Sequence, residues 1–376
     1  MGFDASSLPV FPWDRLEPFK RRASAYPGGL IDLSIGTPVD PTPEVIQAAL
    51  QAAADSPGYP ATVGTAALRQ AITDHYRRCR GVPDLPEDAI LPTIGSKEMV
   101  AQLPSLLGLG AGDVVVHPTV AYPTYDAGAC LAGATPVPAD SPEEIPAGLR
   151  GQVRLVWLNS PGNPDGQVAS IERLDGWTRW ARQAGAVVAS DECYAGLAWE
   201  EPWASAGIPS LLDPRVAGGS LAGKLALYSL SKQSNAAGYR AAWLAGDPEL
   251  VGKLTGLRKH MGMIVPGPIQ AAMVAALGDD SHVAGQRQIY AARRSVLADG
   301  VSQAGYVLEG SGAGLYLWFT TPDRQDGWRT VEDLASLGIL VAPGAFYGEA
   351  GNPYVRMSLT GSDRDVAEAA ARLTGA

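Results

Sequence analysis

The sequence predicts an α/β fold: a mainly parallel sheet flanked by helices, followed by a smaller α+β domain. Short apolar runs recur between helix-sized segments with one apolar stripe, which is the rhythm of strand–helix–strand units. Those runs do not alternate with polar residues, as expected of strands covered by helices on both faces. After Gly246 the rhythm gives way to long helical stretches and then to a mixed C-terminal region.

Taken in order, the first forty residues, through Leu33-Ser-Ile-Gly-Thr-Pro-Val-Asp40, read as an arm, a short strand and a turn. Pro43 to Ala54 and Thr65 to about Arg80 read as helices. The runs Asp113-Val-Val-Val-His-Pro118, Ala134-Thr-Pro-Val-Pro138, Val153 to Leu158, Ala186 to Ser190 and Lys224 to Leu230 read as strands, and Ser170 to Ala184 as an amphipathic helix. Helical patterns follow from Gly246 through His260 and from Pro268 to Leu277, continuing toward Ala298. The C-terminal part offers Gly314 to Phe319, a helix near Thr330 to Leu337, Tyr354 to Leu359, and a last helix begun by Ser362 or Asp363. Boundaries near 40 and 270 divide the chain into an arm with part of the small domain (1–40), a large domain (41–270) and a small C-terminal domain (271–376).

Composition bounds the function. The 376 residues are 46% apolar and 18% charged, enough for a large buried core. With 29 basic against 39 acidic residues the formal charge is -10, and no strongly basic block occurs, which argues against nucleic acid or anionic membranes as partners. Cys79, Cys130 and Cys193 are odd in number and have no CxxC spacing, which points to a reducing compartment. Met1 to Pro12 lacks the pattern of a signal peptide, and no stretch reaches the length of a membrane span, so the cytoplasm is the expected location.

Two features carry chemistry: Asp191-Glu-Cys-Tyr194 at one strand end and Ser229-Leu-Ser-Lys232 at the next. Strand carboxyl ends are where open α/β sheets place ligands. A pyridoxal phosphate site needs a lysine for the aldehyde, a carboxylate for the ring nitrogen, donors for the ring oxygen and an anion cradle. Lys232 and Asp191 supply the first two, and Asn163 and Tyr194 the donors. Tyr122, in Pro118-Thr-Val-Ala-Tyr-Pro-Thr-Tyr125, is the candidate to stack on the ring, with core packing as the alternative. The Gly95-Ser-Lys-Glu98 turn opens an apolar helical stretch whose free amides, with Ser96, Ser229, Ser231 and Arg240, suit a phosphate. Lys97 is the rival lysine, expected to turn away at that helix start. The four histidines form no close ligand set and no HExxH, so no metal is expected, and no serine lies in a GxSxG context.

With Asn159-Ser-Pro-Gly-Asn-Pro-Asp-Gly166, Asp191-Glu-Cys-Tyr194 and Ser229-Leu-Ser-Lys-Gln-Ser-Asn-Ala-Ala-Gly-Tyr-Arg240 assembled, the chain resembles the fold-type I pyridoxal phosphate aminotransferases, the aspartate aminotransferase superfamily, from about Ile31 to Leu359. The resemblance implies a seven-stranded sheet, Lys232 as the lysine bonded to the cofactor, and Asp191 as the partner of the pyridine nitrogen. It also implies Asn163 and Tyr194 as ring-oxygen donors, phosphate held by Gly95, Ser96, Lys97, Ser229, Ser231 and Arg240, and Tyr122 on the ring. Tyr59, in Pro57-Gly-Tyr-Pro60, matches a tyrosine that reaches the partner subunit's phosphate, which implies a homodimer. Arg356 matches the arginine that clamps the substrate carboxylate, and Gly36 the glycine beside it.

Within the superfamily, Leu8 to Asp14, Arg258 to Pro266 and Val341 to Gly348 look most like the actinobacterial succinyldiaminopimelate aminotransferases. That implies transamination between N-succinyl-LL-2,6-diaminopimelate and 2-oxoglutarate, giving N-succinyl-2-amino-6-oxopimelate and glutamate, in lysine and diaminopimelate biosynthesis. One of Arg258, Lys259 and His260 is expected to reach the distal carboxylate. The alternatives are an aspartate, alanine or aromatic amino acid aminotransferase, and a non-catalytic regulator on the same fold.

Overall fold

The computed structural model describes residues 12–375. Its largest sheet has seven strands: β2 (Ile90–Ile94), β3 (Val114–His117), β4 (Thr135–Pro138), β5 (Val153–Asn159), β6 (Val187–Asp191), β7 (Lys224–Ser229) and β8 (Ala241–Gly246). They lie in the order β2-β8-β7-β6-β5-β3-β4. β8 runs antiparallel to both of its neighbours, and the remaining pairs are parallel.

Neighbouring residues of one strand enter different cores. Val115, Leu155, Trp157 and Ala189 pack with Met99, Leu103 and Ala129, whereas Val114, Val116, Val156, Leu158 and Val188 pack with Leu174, Trp177 and Ala181. Side chains of a strand alternate between faces, so apolar residues at every position mean that both faces are covered. This accounts for the continuous apolar runs. Ser170 caps the helix Ile171–Ala184 by accepting from the Arg173 amide at 3.3 Å, and Gly185 ends it in the left-handed region at φ 69°.

β2 and β8 were not among the runs singled out as strands in the sequence. β2 carries Pro92, which is tolerated because β2 is an edge strand. β8, Ala-Ala-Trp-Leu-Ala-Gly, is too poor in β-branched residues to announce a strand. The helical pattern from Pro268 toward Ala298 is two helices, Gly267–Leu277 and Asp280–Gln303, broken at Gly278 and recapped by Asp279. The early segment also contains a helix, Glu17–Ser24, where an arm was expected, while residues 1–11 lie outside the described residues.

A second, four-stranded antiparallel sheet has the order β12 (Ala342–Pro343), β13 (Tyr354–Ser358), β10 (Tyr316–Thr320), β9 (Val307–Leu308). β1 (Ile31–Asp32) pairs in parallel with β11 (Ile339–Leu340). The Ser358 amide donates to the Leu33 carbonyl at 2.9 Å, which ties residues just after β1 to this smaller unit. Helices Gly327–Ser336 and Asp363–Thr374 contribute Val331, Leu334, Val366 and Ala369 to its core.

Candidate active site

Consecutive strands of the large sheet deliver the chemistry to one edge. β2 ends at Ile94 and leads into Gly95 and Ser96, β6 ends at Asp191, and β7 ends at Ser229, one turn before Lys232. Arg240 precedes β8 and reaches the same edge because β8 runs the opposite way, with Ala241 opposite Ile94 and Ala242 opposite Ser229. Asn163 follows β5 and Tyr122 follows β3. Ser96, Tyr122, Asn163, Asp191, Ser229, Lys232 and Arg240 line one cavity of about 320 Å³, with Gly36, Lys97, Ser231, Tyr194 and Arg356.

Asp191 is buried at the end of β6. Burial pushes its carboxyl up, while hydrogen bonds from Cys193 and Tyr125 pull it back. The Cys193 amide donates to Oδ1 at 3.2 Å and the Tyr125 hydroxyl to Oδ2 at 3.1 Å. Lys232 Nζ donates to the Gly36 carbonyl. Burial pulls the Lys232 ammonium below its ordinary value, which raises the share of neutral amine available as nucleophile or base.

The edge beside Lys232 is shaped for a dianion. Gly95 has φ 75°, and a Cβ built on it would lie 2.1 Å from Nη2 of Arg240, so only glycine leaves this space open. The Gly95 amide donates to the Arg240 carbonyl at 2.8 Å, fixing the two turns together. The helix Ser96–Leu106 starts here with no side-chain cap, which aims its first-turn amides at this edge, and Ser229 and Ser231 share a hydrogen bond of 2.8 Å. Arginine, two hydroxyls and a helix start, with a lysine and a buried carboxylate in the same cavity, are the donor set that pyridoxal 5'-phosphate requires.

Arg356 arrives from β13 in the smaller sheet and is buried. Nη1 donates to Asn163 Oδ1 at 2.9 Å and Nη2 to the Ser34 carbonyl at 2.6 Å, whereas Nε has no partner among the described residues. Its guanidinium carbon lies 3.9 Å from the Tyr316 ring centroid. A buried, oriented fork with donor capacity left over suits a carboxylate.

Other placements were not foreseen. Lys97, expected to turn away, lines the same cavity as Lys232. Arg258 does not line it: its side chain is fully buried and forks onto Glu98, at 2.8 Å to Oε1 and 3.1 Å to Oε2. Lys259 and His260 are exposed and line no part of it either. Tyr59 is fully exposed and lies off this chain's cavity. Sequence reasoning missed Tyr125 and Tyr316. The first had a signal in its three-residue spacing from Tyr122, whereas the second had none, because its position depends on pairing between β10 and β13.

A seven-stranded sheet with this lysine, carboxylate and phosphate cradle at one edge defines a fold-type I pyridoxal phosphate enzyme. The chain belongs to the aminotransferase class I and II family, which matches residues 29–373. It is therefore a pyridoxal phosphate-dependent aminotransferase, and pyridoxal 5'-phosphate is its cofactor. It is 53% identical over 367 residues to the 4-dedimethylamino-4-oxo-anhydrotetracycline transaminase of Streptomyces rimosus, covering 98% of this chain and 99% of that protein. It is 33% identical to the LL-diaminopimelate aminotransferase of Desulforudis audaxviator, covering 98% of this chain and 96% of that one. A probable N-succinyldiaminopimelate aminotransferase of Thermus thermophilus superposes with a TM-score of 0.85 at 28% identity, over 96% of this chain and 99% of the other.

Proposed function

We propose that this aminotransferase exchanges the amino group between N-succinyl-LL-2,6-diaminopimelate and 2-oxoglutarate, giving N-succinyl-2-amino-6-oxopimelate and glutamate. The observation that carries the reading is Arg356, buried in the same cavity as Lys232 with Nε unpaired among the described residues, a receptor for the α-carboxylate that all these substrates share. Lys97 adds a cationic residue to the wall, in keeping with substrates that bear more than one carboxylate. The likeness to diaminopimelate and N-succinyldiaminopimelate aminotransferases supports the same substrate class.

In this reading the bound cofactor supplies an aldehyde for the amine and a ring that accepts electrons from the substrate α-carbon. Lys232 Nζ holds the cofactor at rest and afterwards moves the α-proton, as base and then as acid. Asp191 stays ionised against the ring nitrogen, Asn163 and Tyr194 donate to the ring oxygen, and Tyr122 covers the ring face. Ser96, Lys97, Ser229, Ser231 and Arg240 hold the phosphate through amides, hydroxyls and guanidinium, Gly95 keeps its amide on the Arg240 carbonyl and leaves room for that guanidinium, and Gly36 lets the carboxylate approach. The functional unit is a homodimer, in which Tyr59 reaches the partner's phosphate, and its three free cysteines accord with a cytoplasmic setting.

A second reading changes the acceptor. The Streptomyces rimosus relative, by its name, acts on an oxo group of an anhydrotetracycline, and the cavity here carries Trp13, Ile35 and Tyr122 as an apolar wall for a fused-ring ketone. Single-turnover absorbance changes with glutamate, N-succinyl-LL-diaminopimelate, aspartate and alanine, each alone, separate the options. The main reading expects the first two to discharge the cofactor fastest. Glutamate alone active, with transfer to a polycyclic ketone, establishes the second reading, and preference for aspartate, alanine or an aromatic amino acid overturns both.

A further inference from the structure

Tyr316 touches three parts of the site, and nothing above gives it a role. It opens β10, and Trp318, two residues on, pairs with Arg356 of β13. Residues two apart share a face of a strand, so Tyr316 and Arg356 are diagonal neighbours on one side of the small sheet. The Arg356 guanidinium stacks on the Tyr316 ring, 3.9 Å from its centroid. The Tyr316 hydroxyl lies 3.1 Å from that of Tyr194, with the rings edge-on at 70°. A Cβ on Gly36 would come within 2.3 Å of the Tyr316 hydroxyl, and the carbonyl of the same glycine accepts from Lys232.

The two phenols are not equivalent. Burial raises both, but the neighbouring Arg356 and Lys232 cations bring Tyr316 below its ordinary value, while Tyr194 stays well above. Either hydroxyl can donate across the 3.1 Å between them; with Tyr194's proton given to the cofactor's ring oxygen, the role proposed for it above, Tyr316 is the one left to donate.

We propose that Tyr316 is a positioning residue acting through two neighbours: its ring orients Arg356 for the substrate carboxylate, and its hydroxyl donates to Tyr194, strengthening Tyr194 as donor to the cofactor's ring oxygen. This rests on the roles given above to Tyr194 and Arg356. It makes one side chain answerable for both carboxylate recognition and the electronic state of the cofactor.

The two functions separate chemically. Tyr316→Phe keeps the ring and deletes the donor, whereas Tyr316→Met fills the space and deletes the π face. In the holoenzyme, the pH midpoint of the visible absorbance reports the donor, and KM for glutamate against kcat reports the carboxylate clamp. Tyr316→Phe is expected to raise the midpoint by a few tenths of a pH unit, roughly what cooperative strengthening of one hydrogen bond supplies, with KM within about threefold of wild type. Tyr316→Met is expected to raise KM about 10- to 30-fold, the scale of a lost buried cation–π contact, with a smaller fall in kcat. Tyr194→Phe is the reference. A midpoint that moves in Tyr194→Phe but not in Tyr316→Phe overturns the hydroxyl's part, and a KM for Tyr316→Met within about twofold of wild type overturns the ring's part. Midpoints unmoved in both tyrosine-to-phenylalanine variants remove the role assigned to Tyr194, and the coupling falls with it.

Discussion

The hydroxyl of Tyr125, itself fully buried, donates to Asp191 Oδ2 across 3.1 Å. The carboxylate proposed to pair with the cofactor ring is therefore held by a phenol stacked on Trp157, with ring centroids 5.2 Å apart. A hydrogen bond to a charged group is worth about 1.5–3 kcal/mol. Tyr125→Phe removes one of the two donors that offset burial at Asp191, so kcat is expected to fall about 10- to 100-fold. Stopped-flow absorbance with glutamate measures it, and an unchanged rate refutes the role of this pair.

Gly95→Ala tests the cradle. The new Cβ meets the Arg240 guanidinium, and φ 75° with ψ 163° is a conformation essentially restricted to glycine that costs a side chain about 1–3 kcal/mol. Affinity for pyridoxal 5'-phosphate, followed by fluorescence titration of the apoenzyme, is expected to weaken at least about tenfold.

Beside Asp191, Glu192 forms a buried ion pair with Arg80 at 2.7 Å, with side chains 0% and 2% exposed. Glu192 also accepts from the Ser210 hydroxyl at 3.1 Å and the Leu211 amide at 2.8 Å, so it ties the turn after β6 to two distant segments. Breaking a buried pair leaves a charge without a partner at a cost of about 3–5 kcal/mol. Glu192→Ala is expected to lose about that much in urea unfolding, while the double variant Glu192→Ala with Arg80→Met recovers part of it.

His75 is buried among Tyr76, Tyr228 and Trp243 with Nε2 unpartnered among the described residues, and burial lowers its pKa to about 3. The unfolded chain binds this proton near pH 6.5 and the folded chain only near 3. Stability contributed by neutral His75 is thus complete above about pH 6.5 and is lost as pH falls toward 3, at up to about 1.4 kcal/mol per pH unit. Unfolding midpoints of His75→Phe are expected to fall less steeply than those of the wild type between pH 6.5 and 4.5. Parallel slopes would exclude His75 as the cause.

The exposed Tyr59 is tested by a hybrid dimer of Lys232→Ala and Tyr59→Ala subunits. If Tyr59 serves the partner's site, one site of the hybrid is intact, and activity is about half that of the wild-type dimer by simple site counting. A Tyr59 that served its own subunit would leave no intact site, and activity would fall to that of the parents.

Much of this was readable in the sequence because it is local. Ser229, Ser231 and Lys232 share one turn, Asp191 and Tyr194 another, and Gly95 with Ser96 the start of a helix, so chain connectivity alone holds each group together. Strands buried on both faces announced themselves as unbroken apolar runs, whereas β2, with its edge proline, and alanine-rich β8 did not. Arg258 misled for a related reason: a cation in a basic cluster shows its charge in the sequence but not its partner, and Glu98 is 160 residues away.

By itself, then, the sequence determined the chemical inventory and the α/β rhythm that presents it at strand ends. The tertiary structure decided which distant residues join that inventory. Antiparallel β8 turns Arg240 back to the edge of β7, the small sheet brings Arg356 and Tyr316 over Asn163 and Tyr194, and the segment after β1 sets Gly36 beside Lys232. Such meetings depend on strand direction, pairing register and burial, which arise only when segments far apart in the chain pack together.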